Sequence, residues 1–434
     1  MLLVQKYGGT SVGTLERIRA CARRCLETRA NGHDLVVVVS AMSGETNRLI
    51  TLANELLGPR EQPQIGGPYV VSEGGSDRDY QRELDQLVST GEKVSASLVA
   101  MAIQRLGGAA ISLVGHQLGM QTDRVFTNAR VTAVDRGRLH AELAAGKIVV
   151  CAGFQGLDPE GNITTLGRGG SDTSAVALAA ALGADACEIL TDVDGVYTTD
   201  PRIEPRARKV DRITYEEMIE LASLGAKVLQ IRSVEFAMKH CVPVHVRSSL
   251  NNREGTWIVP EATPPPSDSA AQLRNLEAPV VRGVALDRNE AKVTLTNIPD
   301  VPGSVATIFG ALARDGIVVD MIIQNASREG ATDVTFTVPE ADIERSVEQL
   351  RTLELGRDTQ ILTDRAICKI SIVGVGMRTH AGVAARAFEV LARANINIQM
   401  VSTSEIKVSV VVDERHGDLA VRSLHEGFAL HEGP

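Results

Sequence analysis

N-terminal of Pro260, short β-branched runs alternate with longer stretches whose apolar positions recur at helical spacing. The pattern predicts strands over 2–6, 35–39, 110–114, 148–152, 186–190 and 242–246. Helices are predicted over 14–29, 92–106, 172–181 and 215–223. Residues 36–39 are four consecutive valines, so that strand is covered on both faces, as in a parallel sheet. Strands that alternate with helices imply an α/β domain whose sites lie at the carboxyl ends of the strands.

The segment Pro260-Glu-Ala-Thr-Pro-Pro-Pro-Ser-Asp-Ser-Ala270 is too rich in proline for a regular element and reads as a linker. Beyond it the chain repeats itself. Lys292-Val-Thr-Leu-Thr matches Lys369-Ile-Ser-Ile-Val at an offset of 77. Gly303, Phe309, Leu312, Ala313, Arg314, Ile317 and Met321 then match Gly382, Phe388, Leu391, Ala392, Arg393, Ile396 and Met400 at 79. Each copy reads strand, glycine-bearing loop, amphipathic helix, strand, strand: one small α+β module present twice. Gly374 and Gly376 imitate a dinucleotide fingerprint, but Thr379 stands where the third glycine is needed for close helix–strand packing, so no nucleotide is expected there. The predicted divisions are 1–259, a linker over 260–278, and two modules over 279–362 and 363–434.

Composition narrows the function classes. The 434 residues carry a net charge of −9 with lysine and arginine dispersed, and only 3% are aromatic. Neither an electrostatic groove for nucleic acid nor a row of base-stacking platforms is expected. No stretch reaches the roughly 18 apolar residues of a membrane span, and the N-terminus lacks a signal-peptide layout. The six cysteines form no CxxC pair, which fits a reducing cytoplasm and gives no metal cluster. Cys21 and Cys25, one helical turn apart, read as small buried hydrophobes rather than as a redox pair.

Two glycine-rich junctions carry the chemistry. Lys6-Tyr-Gly8-Gly9-Thr10-Ser11-Val-Gly13 ends a strand and opens a helix, so backbone N–H groups and a lysine can converge on an anion. Leu166-Gly-Arg168-Gly-Gly-Ser171-Asp172 repeats that logic with a cation suited to bidentate carboxylate capture. Asp172 there is either a functional anion or a simple cap. Thr191-Asp192-Val-Asp194-Gly-Val-Tyr197-Thr-Thr-Asp200-Pro-Arg202 offers groups for ribose, base and phosphates, or mere turn chemistry. Ser40 to Asn47 is a hydroxyl-bearing loop. Glu92 at a helix start fits dipole stabilisation as well as ligand binding. Together the two anion loops point to phosphoryl transfer from a nucleotide to a small carboxylate, a reaction that needs positioning and charge neutralisation more than a covalent nucleophile.

At KYGGTSVG, VVVSAMSGETN, STGE, TTLGRGGSDTSAVALAAAL and TDVDGVYTTDPR the sequence resembles the aspartate kinases of the amino-acid kinase superfamily, and its C-terminal repeat resembles a pair of ACT domains. The resemblance implies a three-layer αβα sandwich with a mostly parallel sheet, followed by two ferredoxin-like modules. It also implies transfer of phosphate from ATP to the side-chain carboxylate of L-aspartate. Lys6 and Asp172 would then serve the transfer itself. Ser40, Thr46, Glu92, Arg168 and Ser171 would hold aspartate, Glu92 at its ammonium and Arg168 at its α-carboxylate. Gly8, Gly9, Ser11, Thr191, Asp192, Tyr197, Asp200, Arg202 and Lys227 would hold the nucleotide, with Mg²⁺ arriving on ATP and no fixed metal ligand in the protein.

The same resemblance places lysine, threonine or both between the ACT modules. Asp300, Ser304, Val305, Asp320 and Gln324 of the first copy would meet His380, Val383, Asn397, Ile398 and Glu405 of the second, across a homo-oligomeric interface. The segment 58–80 is longer than many members have, and reads as a surface loop or a lid. No homoserine dehydrogenase domain is expected after the second repeat. No Met lies between Met238 and Met321 to start a separate regulatory subunit near the linker. A glutamate or acetylglutamate kinase, or an inactive sensor subunit, are the alternatives; the presence of Lys6, Arg168 and Asp172 argues against the last.

Overall fold

The four valines alternate between two dry layers: Val36 and Val38 pack into one core, Val37 and Val39 into another, and all four are fully buried. The computed structural model describes residues 1–57, 76–223, 228–261, 280–325, 330–356, 358–375 and 382–432. Its central sheet has eight strands in the order Arg212–Thr214, Thr256–Val259, Val244–Ser248, Ala186–Thr191, Leu2–Tyr7, Asp34–Val39, Ile148–Ala152 and Ala110–Leu113. All neighbours are parallel except Val244–Ser248 with Thr256–Val259. Helices Leu15–Ala30 and Thr90–Arg105 cover one face, and helix Gly170–Leu182 lies in the core of the other. This is the expected three-layer sandwich. It brings the carboxyl ends of strands 2–7, 34–39, 148–152 and 186–191 to one edge.

A second sheet was not foreseen. Val131–Val134, Met120–Thr122, Gln155–Leu157 and Ile163–Thr165 form four short strands beside that edge. Cys21 and Cys25 are buried against Tyr7, and all six cysteines are free thiols. Burial pushes the Cys21 thiol up, as expected of a packing residue.

The repeat folds as two four-stranded antiparallel sheets, each backed by two helices. Their membership does not follow a cut at 362/363. Val280–Asp287, ahead of the first copy, pairs with Ile367–Val375 of the second copy. Gln360–Asp364 takes the equivalent place beside Glu290–Pro299. The second copy thus receives its last strand from the chain before the first, which ties the two modules together. Gly374 belongs to strand Ile367–Val375; most of the proline-rich linker, the segment 58–75 and residues 376–381 lie outside the described residues.

The exchange produces a near-twofold pairing of lysines. Lys292 lies 3.4 Å from the Asp364 carboxylate and bonds Gln399. Its counterpart Lys369 lies 3.9 Å from Asp287, 3.0 Å from Glu290 and bonds Asp320. Ile367 stands where a second Glu290 would fall, so only the Lys369 side concentrates carboxylates. Burial would lower the Lys369 ammonium, but Glu290 and Asp320 outweigh it and hold it above its ordinary value. Removing that cation strands buried carboxylates. Lys369→Met is expected to cost on the order of 3–5 kcal/mol in urea denaturation, with part regained in Lys369→Met/Glu290→Leu; an unchanged midpoint for the single variant would contradict this.

Candidate active site

Strand Leu2–Tyr7 directs Val4 and Lys6 toward the same layer, because alternate residues share a face. That layer contains helix Gly170–Leu182, whose first turn carries Asp172. The Lys6 ammonium lies 2.6 Å from the Asp172 carboxylate, and both side chains are about nine-tenths buried. Two loops distant in sequence thereby meet over one ion pair. Gly9 lies where a side chain would run into the Ala41 carbonyl, at 2.8 Å from an added Cβ. The Gly9 carbonyl instead accepts from the Ser43 N–H at 3.2 Å, which docks the Ser40–Asn47 loop on the first anion loop.

Glu92 enters from the opposite helical layer, in the first turn of Thr90–Arg105. One carboxylate oxygen accepts from the Ala41 N–H at 2.9 Å; the other is buried with no protein partner. Burial raises its pKa to about 7 against the opposing pull of Ala41 N–H and the Lys6 charge. An orphaned, desolvated carboxylate is a ready seat for an ammonium.

Lys6, Gly9, Ser40, Thr46, Glu92, Arg168, Ser171 and Asp172 line one cleft of about 610 Å³. Arg168 sits exposed at its rim, on a loop bent through left-handed glycines. Gly169, at φ +71°, could not carry a side chain: an added Cβ would fall 1.7 Å from Gln230 Cγ. The cleft also contains residues that sequence reasoning missed, chiefly Phe154. Its φ of +70° is rare for a bulky residue, and the neighbouring glycines were the only hint.

The residues expected at the nucleotide are more dispersed. Gly8 N–H donates to the Leu190 carbonyl at 3.1 Å, and Ser11 bonds the Ser249 hydroxyl at 2.7 Å. These contacts join the first loop to the carboxyl ends of strands Ala186–Thr191 and Val244–Ser248. Thr191 bonds the exposed Asp192, while Tyr197 bridges Lys209 through the backbone. Asp200 and Arg202 pair with each other at 2.6 Å in a turn, which holds the Asp200 carboxyl below its usual range. Lys227 lies outside the described residues.

In the C-terminal repeat, Asp300 and Gln324 are exposed, Ser304 bonds the Pro299 carbonyl at 2.8 Å, and Val305 packs on the first module's core. Asp320 reaches the other copy through Lys369. Asn397 and Glu405 are exposed and Ile398 is partly buried. Val383 is 3% exposed and its side chain packs in the second module's core. His380 lies outside the described residues.

Comparison with known proteins decides the family. The amino acid kinase family matches residues 1–248, and the ACT domain matches 296–352 and 370–428. The chain is 51% identical to the aspartokinase of Pseudomonas aeruginosa over 430 residues, covering 99% of this chain and 98% of that one. The chain belongs to the aspartate kinases. E. coli aspartokinase III in complex with aspartate and ADP superposes with a TM-score of 0.75 at 28% identity, over 98% of this chain and 99% of that one. The same E. coli enzyme in complex with lysine and aspartate gives 0.70 at 26%, over 98% and 99%. As an aspartate kinase, the chain uses a nucleotide and phosphorylates aspartate.

One buried carboxylate in this aspartate kinase lies behind the cleft. Asp85, on helix Ser76–Val88, accepts from Thr127 N–H, Thr165 N–H and the Thr165 hydroxyl at 2.9, 2.8 and 2.6 Å. Burial raises its pKa to about 6, partly offset by these bonds. A raised carboxyl binds its proton more tightly when folded, so its contribution is largest below the unfolded value near 4 and is lost as pH rises through about 6. From pH 4.5 to 7 the wild type should lose about 2 kcal/mol relative to Asp85→Asn. Paired urea titrations would read this; a pH-independent difference would contradict it.

Proposed function

We propose that the cleft transfers the γ-phosphoryl group of MgATP to the β-carboxylate of L-aspartate. The observation that carries this reading is the Lys6–Asp172 pair, set between two glycine-rich loops with Glu92 and Arg168 lining the same cleft. In the step, an aspartate carboxylate oxygen forms a bond to the γ-phosphorus while the bond to the bridging oxygen breaks, and ADP departs with that electron pair. Lys6 stabilises the charge on the migrating group, and Asp172 fixes the ammonium in place. The Gly8–Ser11 backbone accepts the phosphates. Residues 191–202 hold the nucleoside, with Lys227 near the phosphates; Asp200 and Arg202 would exchange part of their mutual pairing for it.

Glu92 receives the substrate ammonium, which supplies the partner that its free oxygen lacks. Arg168 captures the α-carboxylate in fork geometry. Ser40, Thr46 and Ser171 surround the reacting carboxylate. Lysine, threonine or both act at the paired ACT modules, and the lysine complex of the E. coli relative supports the first. Inhibition requires tighter effector binding to the inactive arrangement. The modules also provide the homo-oligomeric contact. A cytoplasmic setting fits the free thiols; among the described residues, no helix is long and apolar enough to cross a membrane.

Lys6→Ala should lower kcat by roughly 10²–10³ in a hydroxylamine assay that traps the acyl phosphate, with an unchanged circular dichroism spectrum; near-normal turnover would reject the role. Because Glu92 must be ionised to hold an ammonium, kcat/KM for aspartate should fall about tenfold per pH unit below about 7 and level off above it. Glu92→Gln should lower that plateau and abolish the inflection. An inflection that survives the substitution would assign it to another group.

A further inference from the structure

The helix Ile231–Lys239 begins against the back of the loop that presents Arg168. Arg232, its second residue, donates from Nη1 to the Leu166 carbonyl at 2.6 Å and to Asn128 Oδ1 at 2.8 Å, and from Nη2 to the Ala129 carbonyl at 2.8 Å. These acceptors belong to two segments that are themselves joined by Ala129 N–H to Thr165 carbonyl at 2.8 Å. On the same helix start, Gln230 packs against Gly169 so closely that an added Cβ would overlap it. Arg168 therefore hangs between two braced points, Leu166 and Gly169.

We propose that Arg232 is a positioning residue for aspartate binding: its guanidinium fixes the Leu166–Gly169 loop so that Arg168 meets the substrate α-carboxylate. The proposal rests on the reading that Arg168 binds that carboxylate. Three features single Arg232 out. Its acceptors are neutral, and among the described residues no carboxylate lies within ion-pair distance, so the half-buried cation gains little as a salt bridge. Its fork joins acceptors on two chain segments at once, a geometry that a lysine ammonium on its flexible stem reproduces poorly. Its bonds end two residues from Arg168, on the loop that presents that side chain to the cleft.

Steady-state kinetics on the full chain test this, with Arg232→Met, Arg232→Lys, Arg168→Gln and the Arg168→Gln/Arg232→Met double variant. Arg232→Met should raise KM for aspartate about tenfold, with KM for ATP within twofold and kcat within threefold. Arg232→Lys should recover less than half of that loss. In the Arg168→Gln background the Arg232→Met effect should vanish, because the two act through one contact. A wild-type aspartate KM in Arg232→Met, an equal rise in both KM values, or full additivity with Arg168→Gln would overturn the positioning role. If Arg168→Gln itself leaves the aspartate KM unchanged, the reading of Arg168 falls and the proposal with it; if Arg168→Gln raises it and Arg232→Met does not, the proposal alone falls. Should Arg232→Met not fold, Arg232→Ala assayed with added methylguanidinium decides: restored aspartate KM supports the role, and an unmoved one overturns it.

Discussion

The ion pair between Lys6 and Asp172 is the constraint on which the catalytic half is organised. It exists because a parallel strand ends under the first turn of the helix that packs across it, so that a strand residue and a helix residue reach the same point. Moving either element by one residue would separate them. Val4 sets the strand's face by packing into the layer of that helix, and Lys6 inherits the same direction two residues later. The glycines beside each partner let the surrounding backbone pack closely: a side chain at Gly9 would run into the Ala41 carbonyl, and one at Gly169 into Gln230.

The cleft draws on both helical layers, which gives it opposite charges at fixed places. Lys6 and Arg168 supply the cations, and Asp172 and Glu92 supply the anions. Glu92 is the most desolvated of the carboxylates lining the cleft, one oxygen tied to Ala41 and the other orphaned. Such a group costs stability when charged and alone, and regains it when an ammonium arrives.

Much of this was legible in the sequence, for identifiable reasons. The four valines announced a doubly covered parallel strand, and the helix and strand periods located the main elements to within a few residues. Long glycine-rich motifs identified the cleft, because the chemistry and the bend share the same residues. The small second sheet escaped notice because strands of three or four residues carry too little periodicity. The exchanged strand Val280–Asp287 escaped for another reason: a repeat shows that two segments are alike, not which sheet a flanking strand will join. Asp85, Phe154 and Arg232 belong to no motif, and only the folded chain brings Phe154 into the cleft and ties the other two to the segments around Thr165 and Leu166.

The most direct test of the central pairing is a crystal structure with ADP, aluminium fluoride and aspartate bound together. The account predicts the Lys6 ammonium within hydrogen-bond distance of both the fluoride group and Asp172, with the aspartate β-carboxylate in line beyond it. A Lys6 side chain turned away from the fluoride, with the phosphoryl mimic held elsewhere, would contradict it.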